Sequence, residues 1–126
     1  MRIRNANIYT EEHRFVRGDA AVENGRFVSC TGGPAGEEAV VDAKGMYLIP
    51  GLVDIHFHGC KGADMCDGTK EALDVITSYE ASVGVTSVCP ATMTIPKDEL
   101  LEVMKNAGSY EYSGGSHLVG INMEGP

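Results

Sequence analysis

Several things are scarce or missing in these 126 residues, and each absence narrows the possibilities. No stretch approaches the roughly 20 apolar residues that cross a bilayer. Met1–Arg4 carries two arginines, but no apolar run of signal-peptide length follows. The expected compartment is therefore the cytoplasm, with no membrane partner. Positive charge is sparse: ten Lys and Arg against eighteen Asp and Glu give a net charge of −8 at pH 7. That balance leaves no electrostatic footprint for nucleic acid or anionic lipid. The Gly32-Gly33-Pro34-Ala35-Gly36 loop is no phosphate loop, because the Lys-Ser/Thr that phosphate chemistry requires is absent. Cysteine is limited to positions 30, 60, 66 and 89. A chain long enough to bury its own core is not a disulfide scaffold, so all four are expected to be reduced.

What is present is globular. The hydrophobic fraction of 43% and charged fraction of 22% are ordinary for one domain or part of a larger one. Two textures divide the chain. Residues 1–50 read as short strands and tight turns: Arg2–Tyr9, then Ala20–Glu23 and Arg26–Ser29 joined by Asn24-Gly25, a strong hairpin signal because a type I′ turn needs two positive φ angles. Thr31–Glu38 reads as a loop, and Val40-Val41 and Met46–Ile49 as further strands around Lys44-Gly45. No helix is expected before residue 68. Residues 51–126 change period. Leu52–His58 reads as a buried strand. Thr69–Val83 reads as a helix burying Ala72, Leu73, Ile76, Tyr79 and Val83, stopped by Gly84. Val85–Cys89 reads as a second buried strand. Pro96–Ala107 reads as a helix with Pro96 at its first position and Gly108 ending it. His117–Met123 reads as a third strand. Apolar strands alternating with helices predict a parallel sheet with right-handed crossovers.

The strongest chemical signal is Asp54-Ile55-His56-Phe57-His58-Gly59 at the end of the first apolar strand. Strand alternation places His56 and His58 on one side, a bidentate arrangement for a divalent transition metal. Asp54 shares that parity and is a candidate to orient a ligand imidazole. Other residues carry weaker signals. Cys60 and Cys66 with the histidine pair would make an unusual zinc site. Cys30 and Cys89 read as small buried hydrophobes, His13 as solvated, and His117 as a packing or capping residue. Asp64 and Asp67 read as turn residues near a barrel mouth.

Pro50-Gly51-Leu52-Val53-Asp54-Ile55-His56-Phe57-His58-Gly59 resembles the opening motif of the amidohydrolase superfamily. With the segments 58–64, 84–92 and Gly120-Ile121-Asn122-Met123-Glu124-Gly125-Pro126, the resemblance narrows to the N-acetylglucosamine-6-phosphate deacetylase family, over about its first third. It implies an α/β fold: strands of a small sandwich over residues 1–50, then over 51–126 the first three strands and two helices of an incomplete (β/α)8 TIM-type barrel. It implies His56, His58 and Glu124 as ligands of a divalent ion such as zinc or iron. It implies an amino-sugar phosphate substrate, cleaved to a free amino sugar and acetate. The family's general-base aspartate falls beyond residue 126, so no catalytic residue is expected in this chain, and the chain alone is expected to be inactive. Alternatives are another amidohydrolase, such as a dihydroorotase-like cyclic amidase, and a non-enzymatic metal-binding or self-associating module. Two apolar strand edges left open by a three-strand sheet predict a homo-oligomer.

Overall fold

The computed structural model describes residues 1–29, 39–111 and 114–125. The expected loop at Thr31–Glu38 and the Cys30 thiol lie outside the described residues. The chain divides into two compact units, Met1–Pro50 and Gly51–Pro126.

The first unit is a sheet organised around one strand. β1 (Arg2–Tyr9) pairs antiparallel with β2 (Phe15–Glu23), which pairs antiparallel with β3 (Arg26–Ser29). On its other edge β1 pairs in parallel with β4 (Val40–Asp42) and β5 (Tyr47–Leu48). The Asn24-Gly25 turn has φ of 50° and 73°, the positive pair that a type I′ hairpin requires. Within β1 the register with β2 shifts between Ile3 and Ala6. At that break Asn5 has φ 59°; its backbone N–H donates to Asp19 Oδ1 (3.1 Å) and its side-chain amide to Asp42 Oδ1 (3.0 Å). The Asn5 amide, helped by the Lys44 N–H, holds the Asp42 carboxyl below its ordinary value. Beneath the sheet Ala6, Ile8, Ala20 and Ala43 are buried against Ile3 and Leu48. β2 begins earlier than alternation predicts. Phe15 and Val16 are exposed, so no buried face marks them. They enter the strand by pairing with Tyr9 and Ile8, and the Phe15 ring packs on Tyr9 and Tyr47 at 5.2 and 4.8 Å.

The second unit is mixed α/β. β6 (Leu52–Asp54), β9 (Val85–Val88) and β10 (His117–Leu118) form a parallel sheet in the order β10-β9-β6. Between β6 and β9 lie a hairpin of β7 (Gly59–Cys60) and β8 (Ala63–Asp64), a 3-10 turn at Met65–Asp67, and α1 (Lys70–Ser82). α2 (Lys97–Gly108) joins β9 to β10. The 3-10 turn corrects the expectation of no helix before residue 68. It is set by reciprocal capping: Asp64 Oδ1 accepts from the Cys66 N–H at 2.7 Å, and Asp67 Oδ2 accepts from the Asp64 N–H at 2.9 Å. Met65, Leu73, Val103 and Ala107 form a core with Ile95, Tyr110, Leu118 and Ile121 packed against it.

Several expected boundaries move. α1 starts after Thr69, whose hydroxyl caps the Ala72 N–H at 3.2 Å. Its inward face carries Ala72, Leu73, Ile76, Thr77 and Glu80. Val83 caps the helix and is exposed, because it lies past the last turn that packs. Pro96 is the N-cap of α2, with an extended ψ of 144°, and Gly108 is the last helical residue rather than the stop. The third strand shortens to two ladder residues plus an isolated parallel bridge between Ala91 and Asn122. β10 is fixed against α1 at close quarters: a Cβ on Gly115 would lie 2.6 Å from the Thr77 carbonyl carbon. Beside it the Ser116 hydroxyl reaches the carbonyls of Val85 (2.6 Å) and Thr77 (3.1 Å).

The largest correction concerns residues 52–58. The ladder ends at Asp54, and Val53 and Ile55 are 60% and 65% exposed. Apolar composition here does not mean burial, since no described residue covers these side chains.

Candidate metal centre

The chain leaves the sheet after Asp54 through a local turn. Asp54 Oδ1 accepts a hydrogen bond from the His56 backbone N–H at 3.0 Å. Asp54 therefore holds the backbone of the next residues, not an imidazole as expected. The stretch stays alongside the extension of β9: the Cys89 N–H donates to the Asp54 carbonyl and the Ala91 N–H to the Phe57 carbonyl, at 2.8 and 2.6 Å. His56 and His58 thus reach one site without lying on a strand, their rings perpendicular with centroids 5.6 Å apart.

Glu124 arrives from the segment after β10. The Thr92 hydroxyl accepts from its backbone N–H at 3.3 Å, and the Thr94 hydroxyl donates to its carbonyl at 2.9 Å. Thr92 is fully buried, so this clamp is anchored in the interior. Glu124 Oε2 lies 3.3 Å from His58 Nε2 and 3.9 Å from His56 Nε2. Ligand-capable atoms of His56, His58 and Glu124 all fall within 4.8 Å of one another.

The donor chemistry fits a cation. His58 Nδ1 lies 3.2 Å from the Ala91 carbonyl oxygen. That oxygen only accepts, so Nδ1 carries the hydrogen and neutral His58 turns the Nε2 lone pair toward a carboxylate. Two acceptors then face each other across 3.3 Å. Either a proton on Nε2 or a bound cation would place positive charge between them, and a donor set of two imidazoles and a carboxylate suits a divalent ion.

Other sequence candidates go elsewhere. Asp64 and Asp67 are spent on capping. Cys60, Cys66 and Cys89 are free thiols. Cys66 Sγ accepts from the Met93 N–H at 3.2 Å, and neither Cys60 nor Cys66 belongs to the His56–His58–Glu124 group. The four-ligand His/His/Cys/Cys arrangement, the weaker reading of the sequence, is not assembled among the described residues. Burial, followed by the charge of Glu80, raises the Cys60 thiol above its ordinary value. His13 bonds the exposed Tyr9 hydroxyl through Nδ1 at 3.1 Å, and His117 starts β10 as expected.

Sequence reasoning missed two groups. Glu80 is 8% exposed on the inward face of α1, where burial and then Asp54 push its carboxyl up. Asn122 donates through Nδ2 to the Ile55 carbonyl at 3.0 Å and meets His56 Nδ1 at 3.1 Å. Asn122 shares strand parity with Glu124, and that spacing was the available signal. In the first unit a cavity of about 580 Å³ lies over Ile8, Ala20, Phe27 and Leu48; among the described residues its ionisable lining is Tyr9, Glu11 and Glu12, and none of them belongs to the His56–His58–Glu124 group.

A His-x-His pair facing a glutamate beyond the parallel strands defines the class: a mixed α/β unit with a candidate metal centre. The chain is similar, more particularly, to N-acetylglucosamine-6-phosphate deacetylases. The Vibrio furnissii enzyme of that name is 33% identical over 81 residues, which are 63% of this chain and 20% of that protein. The Haemophilus influenzae one is 27% identical over 126 residues, 97% of this chain and 33% of that protein. The crystal structure of N-acetylglucosamine-6-phosphate deacetylase from Pasteurella multocida superposes on 97% of the chain with a TM-score of 0.84 at 20% identity, using 33% of its own length. A dihydroorotase from Endomicrobium trichonymphae is 36% identical over 101 residues, 80% of this chain and 21% of that protein. No family model matches. The chain spans about a fifth to a third of the curated relatives it matches. The mixed α/β fold, with its sheets and two helices, is the one found in the matching part of the Pasteurella multocida structure.

Proposed function

We propose that the chain carries the metal-holding N-terminal part of an amino-sugar-phosphate deacetylase, with His56, His58 and Glu124 as ligands of a divalent ion. The supporting observation is the convergence of those three side chains within 4.8 Å at the ends of parallel strands. In this reading residues 1–50 supply strands of a small sandwich and residues 51–126 the first units of a (β/α)8 barrel, whose strand ends carry the chemistry. A bound ion would polarise the acetamide carbonyl and lower the pKa of a coordinated water. The reaction consumes one water, breaks the amide C–N bond, and leaves acetate and the free amine. His56, His58 and Glu124 would hold the ion, and the Thr92–Thr94 clamp fixes the backbone of Glu124.

Glu124 is the one carboxylate in this group among the described residues. Occupied as a ligand, it leaves no second carboxylate there to move protons. The 126-residue chain is therefore expected to bind zinc(II) or cobalt(II) weakly and to release no acetate from N-acetylglucosamine 6-phosphate. His58→Ala is expected to weaken binding at least tenfold in a chelator-competition titration; unchanged affinity overturns the site, and turnover by the pure chain overturns the assignment of roles. The dihydroorotase similarity supports a second reading as a cyclic amidase. Activity restored in trans by the C-terminal part of an N-acetylglucosamine-6-phosphate deacetylase and not by that of a dihydroorotase supports the first reading, and the reverse supports the second. Self-association follows from the exposed Leu52, Val53, Ile55 and Val119. Sedimentation at micromolar concentration is expected to show a dimer or larger species, and a compact monomer refutes it.

A further inference from the structure

His56 and His58 are oriented by opposite kinds of partner. The Ala91 carbonyl at His58 Nδ1 can only accept, so it demands a hydrogen on Nδ1 and frees Nε2. The partner at His56 Nδ1 is Asn122 Nδ2, 3.1 Å away. The same Nδ2 lies 3.0 Å from the Ile55 carbonyl oxygen, which identifies it as the amide nitrogen rather than the oxygen. An amide nitrogen can only donate. His56 Nδ1 therefore accepts, and the hydrogen of neutral His56 sits on Nε2, the atom turned toward Glu124 Oε2 at 3.9 Å. An Nε2 bearing hydrogen cannot ligate.

On the reading that this site holds a divalent ion, we infer that Asn122 is a positioning residue that holds His56 in the non-ligating tautomer. The ion enters through His58 and Glu124, and His56 joins only when its contact with Asn122 is given up. The two histidines of the His-x-His pair are thus unequal before any ion arrives.

Two measurements on the full 126-residue chain test this. The first is a long-range 1H–15N spectrum of the metal-free protein at mildly alkaline pH, assigned with His56→Ala and His58→Ala. His56 should show the Nε2–H tautomer and His58 the Nδ1–H tautomer; an Nδ1–H signature for His56 overturns the inference. The second is cobalt(II) affinity. Asn122→Asp replaces the donor by an acceptor that requires Nδ1–H, and is expected to tighten binding about tenfold or more, the usual scale for a residue that orients a ligand imidazole. The gain should vanish in Asn122→Asp combined with His56→Ala. A gain that survives there is the added charge alone and overturns the inference, as does no gain at all. Asn122→Ala removes the donor without adding charge, covers a folding failure of the Asp variant, and should give a few-fold gain with mixed His56 tautomers. If cobalt(II) binds no variant, the metal reading and the ordered filling both fail, while the spectrum still decides whether Asn122 sets the His56 tautomer.

Discussion

Among the described residues, Met1–Pro50 buries the apolar side chains of three alanines and one isoleucine; Gly51–Pro126 buries Met65, Leu73, Ile76, Val88, Leu100 and Val103. The first unit is held by backbone ladders, tight turns and the Asn5–Asp19–Asp42 hydrogen bonds across the break in β1. The second relies on helices packed against a short sheet, with little ladder in each strand. The chemistry-bearing cluster lies wholly in the second. A sheet of local pairings needs few large side chains. Strand ends that must hold three side chains in register need a helix-backed interior to fix them.

Core truncation tests this contrast most severely. Leu73→Ala removes a side chain 1% exposed at the centre of the second core and is expected to cost about 2–5 kcal/mol in urea unfolding. Ile8→Ala, among alanines, should cost clearly less; equal losses break the comparison. Next come two glycines with different duties. A Cβ on Gly59 would overlap the Ala63 carbonyl and lie 2.7 Å from Asp64 Cα, so Gly59→Ala should cost about 1–3 kcal/mol by thermal melting. Gly25 has open space around its Cβ position and only a positive φ, so Gly25→Ala should cost about 1 kcal/mol. A larger loss at Gly25 would move the weight of the fold back to the first unit. Glu80→Gln should have the smallest effect, and it should be favourable. Burial and then Asp54 raise the folded carboxyl value above the unfolded one. The protonated form is thus the one the fold favours; its contribution is complete below the unfolded value and is lost as pH rises through the folded value. The Glu80→Gln melting point should exceed that of the parent by a few degrees near neutrality and match it well below the carboxylate range. A gain that persists in acid would point to packing instead.

Legibility in the sequence divides along the same line. The Asn24-Gly25 hairpin turn was readable because both residues accept a positive φ, and the Lys44-Gly45 turn was marked by its glycine, at φ 84°. The helices were readable from period and caps, and the parallel order from their alternation with apolar runs. The features that escaped depend on partners distant in sequence. Phe15 joins β2 through Tyr9, not through any pattern of its own. Glu80 is buried where a helical wheel placed Val83, because the packing partners choose the face. His56, His58 and Glu124 were singled out, but the expected route through strand alternation does not operate: the ladder stops at Asp54, and a side chain–backbone bond steers residues 55 to 58. Asn122 carried no signal beyond its spacing from Glu124.

The central place of β1 has a consequence for how the first unit comes apart. β2 hangs on one edge of it and β4 and β5 on the other, while β3, among the described strands, pairs with β2 alone. Amide protons of β3 can exchange with solvent when that outer strand alone frays. Each amide of β1 donates to one edge only, as the Asn7 N–H does to the Met46 carbonyl at 2.9 Å, so its release requires that edge to leave the centre of the sheet. Isotope exchange should therefore resolve this sheet into a leaving rim and a single axle, with the slowest amides on Ala6 to Ile8 and none of comparable lifetime on Arg26 to Ser29.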